Sequence, residues 1–211
     1  EILVLFGIAS ILVAAVFIVA QHDVKRLLAY HSVEHLGIIT LGVGIGGFGT
    51  VAALFHVFNH SLCKSLSFFC AGSLGQIYGT HDMRQMTGVL RVSPVWGGGL
   101  TGSLLALIGV APFALFLSEF LILNAAVANG SYWTAGLFLA GVGIVFIGAL
   151  NHVISMAWEP LSKAITPPKI YMLEAIIVFG PLAALLMLGV WVPSSLVGVL
   201  TEAAKILGGG L

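Results

Sequence analysis

Val51-Ala-Ala-Leu-Phe-His-Val-Phe-Asn-His-Ser-Leu-Cys-Lys-Ser-Leu-Ser-Phe-Phe-Cys70 is an apolar run of membrane-crossing length with a lysine in its interior. Lys64 falls about thirteen residues into the run. A charge at that depth costs several kcal/mol unless a partner or water offsets it, so it is read first as a functional residue. His56, His60 and Lys64 recur at i, i+4 and i+8. On a helix they form one stripe that drifts by about 80 degrees and rises about 12 Å. A column of titratable groups in an apolar helix points to movement of protons or another small cation.

Composition around this stretch sets the class. Charged residues make up 8% and hydrophobic residues 59% of the 211, where soluble domains carry about 25% charge. The expectation is an all-α, polytopic membrane bundle. Eight basic and eight acidic residues balance to zero, so nothing suggests a nucleic-acid surface or an acidic substrate. Cys63 and Cys70 stand seven residues apart on one helix, about 10 Å, too far for a disulfide and wrong for a metal loop, and read as packing. The chain is apolar from Ile2, with no initiator methionine, basic leader or cleavage site, and reads as a fragment of something longer.

Six segments are long enough to cross a hydrocarbon core of about 30 Å. They run over 2–20, 33–48, 51–75, 96–128, 133–157 and 171–192, the second extending back toward Leu27. The loops after the first, third and fifth hold Lys25, Arg26, Arg84, Arg91, Lys163 and Lys169, and the opposite loops hold only Lys205. By the positive-inside rule the loops at 21–32, 76–95 and 158–170 face the cytoplasm. The fourth segment, as one helix, would be near 50 Å long. It carries Gly109, Pro112 and a lone Glu119, and proline removes a donor and clashes with the preceding turn, so a break is expected at 109–113. A simple kink in a tilted helix is the alternative. The tail from Pro193, with its Gly-Gly-Gly run, reads as a short tail or interfacial helix.

The chemistry-bearing residues each have two readings. His56, His60 and Lys64 form either a proton relay or a set of core hydrogen bonds with a static salt bridge. An i, i+4 histidine pair can hold zinc, but the third member here is lysine, a poor ligand while protonated. Asn59, Ser61, Ser65 and Ser67 are able to order bridging water. Glu34 is either interfacial or part of the path, and His35, slightly deeper, is the better relay. His22, His31 and His81 sit in or beside loops and read as solvated. Asn151 and His152 are a secondary relay or an interhelical hydrogen bond. No nucleotide-binding, phosphate-loop or Cys-x-x-Cys motif is present, so the sequence shows no catalytic site of its own and implies no cofactor or metal.

Four motifs occur in order: Asp23-Val-Lys-Arg-Leu-Leu-Ala-Tyr-His-Ser-Val-Glu-His-Leu-Gly37, then His56-x3-His60-x3-Lys64, then Gly79-Thr-His-Asp-Met-Arg-Gln-Met-Thr-Gly88, then Phe116-Leu-Ser-Glu-Phe-Leu-Ile-Leu123. They resemble the antiporter-like membrane subunits shared by respiratory complex I, Mrp cation/proton antiporters and group 4 membrane-bound hydrogenases, most of all hydrogenase-4 component F. The resemblance runs from residue 1 to about 160. It implies a five-helix repeat over 1–160, an additional transmembrane helix over 161–193 and a tail or interfacial helix over 194–211. It implies Lys64 as the central proton-binding residue, His56, His60 and His35 as relays, and Glu119 as the charged residue at the exit on a helix broken at Gly109 and Pro112. It further implies a bacterial or archaeal cytoplasmic membrane, neighbouring membrane subunits and a peripheral hydrogenase or dehydrogenase arm, with no nucleic acid. Where the family has a Pro-Pro-Phe-Gly type break, this chain has Ala111-Pro112-Phe113-Ala114. Three functions follow as alternatives: a proton-translocating subunit of an oxidoreductase complex, an Mrp-like Na+/H+ antiporter subunit, or a non-conducting scaffold for the redox arm.

Overall fold

A computed structural model describes residues 1–161 and 164–208, and these are helical almost throughout. Lys163 and the end of the Gly-Gly-Gly run lie outside the described residues. The helices are α1 (Ile2–Val19), α2 (Val24–Ile45), α3 (Phe48–Tyr78), α4 (Val89–Val92), α5 (Pro94–Leu107), α6 (Ala114–Ala128), α7 (Tyr132–Trp158), α8 (Met172–Val190) and α9 (Ser194–Ile206).

On length and composition alone, α1, α7 and α8 qualify to cross a membrane. At 22 and 31 residues, α2 and α3 are also long enough, but they carry the polar stripe. The fourth expected segment is broken. α5 and α6 have 14 and 15 residues, about 21 and 22 Å each, so neither crosses alone and the pair makes one traverse. Six traverses result.

Loop contacts show the helices alternating in direction. Val24 N donates to His81 O at 3.0 Å and Met83 N to His22 O at 2.8 Å, and Thr87 Oγ1 donates to Pro160 O at 2.7 Å. The connections after α1, α3 and α7 therefore share one face. At the other face Asn129 Nδ2 donates to Ile45 O at 3.2 Å, tying the end of α6 to the end of α2.

The second helix begins earlier than the hydropathy suggests. Asp23 caps it, its Oδ1 accepting from Lys25 N at 2.9 Å and Arg26 N at 3.0 Å, which satisfies two of the donors a helix start leaves orphaned. Lys25 and Arg26 thus belong to the first turn of α2 and not to a loop. α1 and α2 pack at backbone distance, since a Cβ on Gly7 would lie 2.8 Å from Gly37 O and one on Gly37 would lie 2.8 Å from Gly7 O. In lipid, where apolar burial gives no drive to associate, such close approach is what holds helices together.

The break between α5 and α6 has a defined end. Gly109 N donates to Ala106 O and Val110 N to Leu105 O, both at 3.1 Å, and Gly109 adopts φ +73. This is a Schellman termination, which needs a residue in the left-handed region and hence glycine. Phe113 then precedes α6 in an extended conformation.

Candidate functional site

Three helices bring their polar residues to one buried layer. From Asp23 onward the 3.6 period places Val24, Leu27, Leu28, His31, Glu34 and His35 of α2 inward, and all six are buried. α3 contributes His56, Asn59, half-buried His60 and Lys64, and α6 contributes Ser118 and Glu119. The result is a continuous string.

At the end nearest the α1–α2 loop, Lys64 Nζ donates to Leu28 O. Its long stem reaches back toward the loop face. Glu34 is the carboxylate that interacts electrostatically with it. Glu34 Oε2 meets His31 Nδ1 at 2.9 Å, with side-chain exposures of 2% and 0%. Deeper, His35 Nδ1 and His56 Nε2 share a hydrogen bond at 2.8 Å, and the His35 ring lies tilted against His60 with centroids 4.7 Å apart. His56 Nδ1 and Ser118 Oγ share a second hydrogen bond at 2.8 Å. Glu119 Oε1 stands 4.0 Å from His35 Nδ1.

The break serves the far end. Glu119 Oε2 lies so close to Gly109 that a Cβ there would be 2.6 Å away. The carboxyl also borders a cleft of about 320 Å³ between α6 and α7, lined by Phe116, Phe120, Phe138 and Phe146. Asn59 Nδ2 donates to Ala114 O at 3.3 Å, so a side chain of α3 is tied to the first turn of α6 just past the break.

Three expectations change. His31 is not solvated but fully buried at 0% exposure, because α2 starts at Val24 and puts it two turns into the helix. Ser61 and Ser65 are exposed and donate to Phe58 O and Ser61 O of their own helix, while Ser67 donates to Cys63 O. Asn59 is buried and donates to Ala114 O at the start of α6. His81 is not solvated but half-buried against α3, where a Cβ on Gly75 would meet its ring, and Glu119 stands beside His35. Ser118, the partner of His56, was marked in the sequence only as part of a motif. Outside the string, Asn151 is exposed and His152 half-buried on α7. Cys63 and Cys70 are free and buried.

Among the described residues, two groups approach metal-site geometry, His31–Glu34–His35 and His35–His56–Glu119. Their spacing favours protons over a metal. The 2.8 Å between His35 Nδ1 and His56 Nε2 is a hydrogen-bond length, shorter than the roughly 3.3 Å that two nitrogens keep on one tetrahedral zinc. Among the described residues, buried nitrogens without a partner occur at His31 Nε2, His35 Nε2, His60 Nδ1, His81 Nδ1 and His152 Nε2. Each costs about 1–3 kcal/mol unless water reaches it, and polar interior sites of this kind are where ordered water sits.

A polytopic helix bundle with a buried His/Lys/Glu layer beside a broken helix defines an antiporter-like membrane subunit. The family described as NADH:quinone oxidoreductase/Mrp antiporter, transmembrane, matches residues 1–146, and the chain belongs to it. A relative named hydrogenase-4 component F homolog, from Methylacidiphilum infernorum, is 42% identical over 146 residues, covering 68% of this chain and 30% of the relative. The chain therefore spans about a third of that relative's length. Among solved structures, respiratory complex I from Thermus thermophilus with bound NADH superposes with a TM-score of 0.85 at 27% identity, over 99% of this chain and 45% of that one. The Mrp complex from Dietzia sp. DQ12-45-1b gives a TM-score of 0.87 at 20% identity, over 98% and 47%, a likeness of fold alone.

Proposed function

We propose that this chain is part of a proton-translocating membrane subunit of a hydrogenase-4-like or complex I-like oxidoreductase complex. The observation that carries the reading is the gathering of exchangeable groups from three helices into one buried layer. A proton loaded near His31, Glu34 and Lys64 passes over His35 to His56 and His60 and leaves by Glu119 at the broken helix. Every group named is buried or half-buried; His31 meets Glu34, His35 meets His56 and stands 4.0 Å from Glu119, and His56 meets Ser118. Redox chemistry in other subunits supplies the energy, felt here as changes in charge and hydration around Lys64 and Glu34.

On this reading residues 1–160 form the five-helix repeat, 161–193 an additional crossing and 194–211 an interfacial segment. The subunit sits in a bacterial or archaeal cytoplasmic membrane with the loops after α1, α3 and α7 facing the cytoplasm. Its partners are neighbouring membrane subunits and a peripheral hydrogenase or dehydrogenase arm.

The test is Lys64→Ala and Glu119→Ala, made separately in the complete polypeptide within its assembled complex, with protons moved measured against electrons transferred. The expected result is a fall in the ratio with electron transfer retained. Unchanged ratios in both assembled variants would establish the scaffold role instead, and sodium-dependent transport in proteoliposomes would establish the antiporter.

A further inference from the structure

α8 runs past both halves of the broken traverse. Along α5 it fits against two glycines, since a Cβ on Gly99 would fall 2.4 Å from Val178 Cγ1 and one on Gly102 would fall 2.9 Å from Leu182 Cδ2. At the break its approach is to backbone. A Cβ on Gly189 would stand 1.8 Å from Pro112 O, 2.7 Å from Phe113 C and 2.8 Å from Ala114 N. A side-chain tip yields to a neighbour by changing rotamer, whereas a peptide yields only by moving the chain it belongs to. Here that chain leads straight into the buried layer. Ala114 O accepts from Asn59 Nδ2 at 3.3 Å and from Ser118 Oγ at 3.1 Å, Ser118 Oγ meets His56 Nδ1 at 2.8 Å, and Glu119 stands 4.0 Å from His35. Leu185 and Leu188 of α8 join the same buried cluster as Phe113, Ala114 and Leu115.

We propose that Gly189 is a positioning residue for the string: by letting α8 sit on the 112–114 peptides it fixes where α6 starts, and so where Ser118 and Glu119 stand against His56 and His35. The inference rests on the proton-path reading and adds a brace from α8, which lies beyond residues 1–146, where the family match ends. Ser118 and Glu119 follow Ala114 by four and five residues, about 6 and 7.5 Å along the helix. A shift of the 112–114 peptides reaches them within a turn and a half. A methyl group at Gly189 forces such a shift, because ordinary contact begins near 3.4 Å and the space offered is 1.8 Å.

The experiment uses the complete polypeptide in its assembled complex and compares Gly189→Ala with Gly136→Ala, the same substitution on α7, where a Cβ meets nothing within 4 Å. Gly189→Ala is expected to lower proton flux through this subunit by between about fivefold, the loss of one hydrogen bond, and about a hundredfold, a proton site displaced by an ångström. Electron transfer is retained, and Gly136→Ala leaves flux unchanged. In a Ser118→Ala background, where the bond to His56 is already gone, Gly189→Ala loses much of its effect, so the double variant falls short of the product of the single ones. Effects that multiply independently would reveal plain destabilisation and overturn the proposal. So would unchanged flux in assembled Gly189→Ala alongside loss in Lys64→Ala. Should Lys64→Ala also be silent, the path reading fails, and the brace is decided by the infrared carboxyl band that Glu119→Gln removes. A band shifted in Gly189→Ala but not in Gly136→Ala upholds the positioning of Glu119, and an unshifted band refutes it. If Gly189→Ala does not assemble, Leu188→Ala, which loosens α8 beside the same contact, decides by the same flux and band.

Discussion

Two acid–base pairs in this molecule have the same length and opposite meanings. Arg84 Nη2 stands 2.9 Å from Asp82 Oδ2 in the α3–α4 loop, with side-chain exposures of 68% and 23%. His31 Nδ1 stands 2.9 Å from Glu34 Oε2 along the buried face of α2, with exposures of 0% and 2%. Water screens the first pair and solvates it when broken, so both partners stay charged and little depends on the contact. In the second, a single shared proton decides whether two charges or none stand in the interior. Separation of that pair is costly, so its state responds to small changes in its surroundings. Burial, and not geometry, makes a pair into a switch.

The largest effect should come from removing the proton site but not the contact. Glu34→Gln still accepts from His31 yet cannot take up a proton, and proton flux is expected to fall by about tenfold or more while the complex assembles. Next is the backbone at the far end. Gly109→Ala forces a side chain into the left-handed region, which costs about 1–2 kcal/mol, and crowds Glu119 Oε2 at 2.6 Å; thermal unfolding of the purified complex and its proton-to-electron ratio should both decline. Ser118→Ala removes the bond to His56 at a cost of about 1 kcal/mol, a roughly fivefold slowing of any step that needs it, readable as a partial loss of flux. Smallest is the surface pair. Arg84→Ala should leave flux and thermal stability unchanged.

The surface pair also bounds the pH dependence. The hydrogen bond from Arg84 holds the Asp82 carboxyl down to about 2. A group lowered in the fold contributes its stability at higher pH and loses it as pH falls through the folded value. The loop contact is therefore complete above the ordinary carboxylate range, about 4, and fades only toward about 2. Any dependence of transport on pH between roughly 5 and 8, the range in which histidine titrates, must originate elsewhere. A flux profile that shifted in Arg84→Ala would contradict this.

The broken helix was legible because its causes are local. A segment of excess length containing Gly109 and Pro112 admits few continuous solutions, and the Schellman end at Gly109 is a backbone requirement written into one residue. The stripe on α3 was legible for the same reason, since His56, His60 and Lys64 declare their face by spacing. His31 was misread because hydropathy starts α2 at Val33, whereas Asp23 caps it ten residues earlier, only four after the last residue of α1. Counted from that cap, His31, Glu34 and His35 fall on the buried stripe. The neighbours of Lys64 were not legible at all. Whether it meets Glu34 or Glu119 depends on how α2 and α6 lie against α3, which is set by packing between helices remote in sequence.

The central claim is that the buried pair carries protons and the surface pair does not. The most direct measurement compares proton-to-electron ratios in assembled complexes bearing Glu34→Gln and Asp82→Asn. The ratio falls by this subunit's share in the first and stays unaltered in the second. An unaltered ratio in Glu34→Gln, with electron transfer at its normal rate, would contradict it.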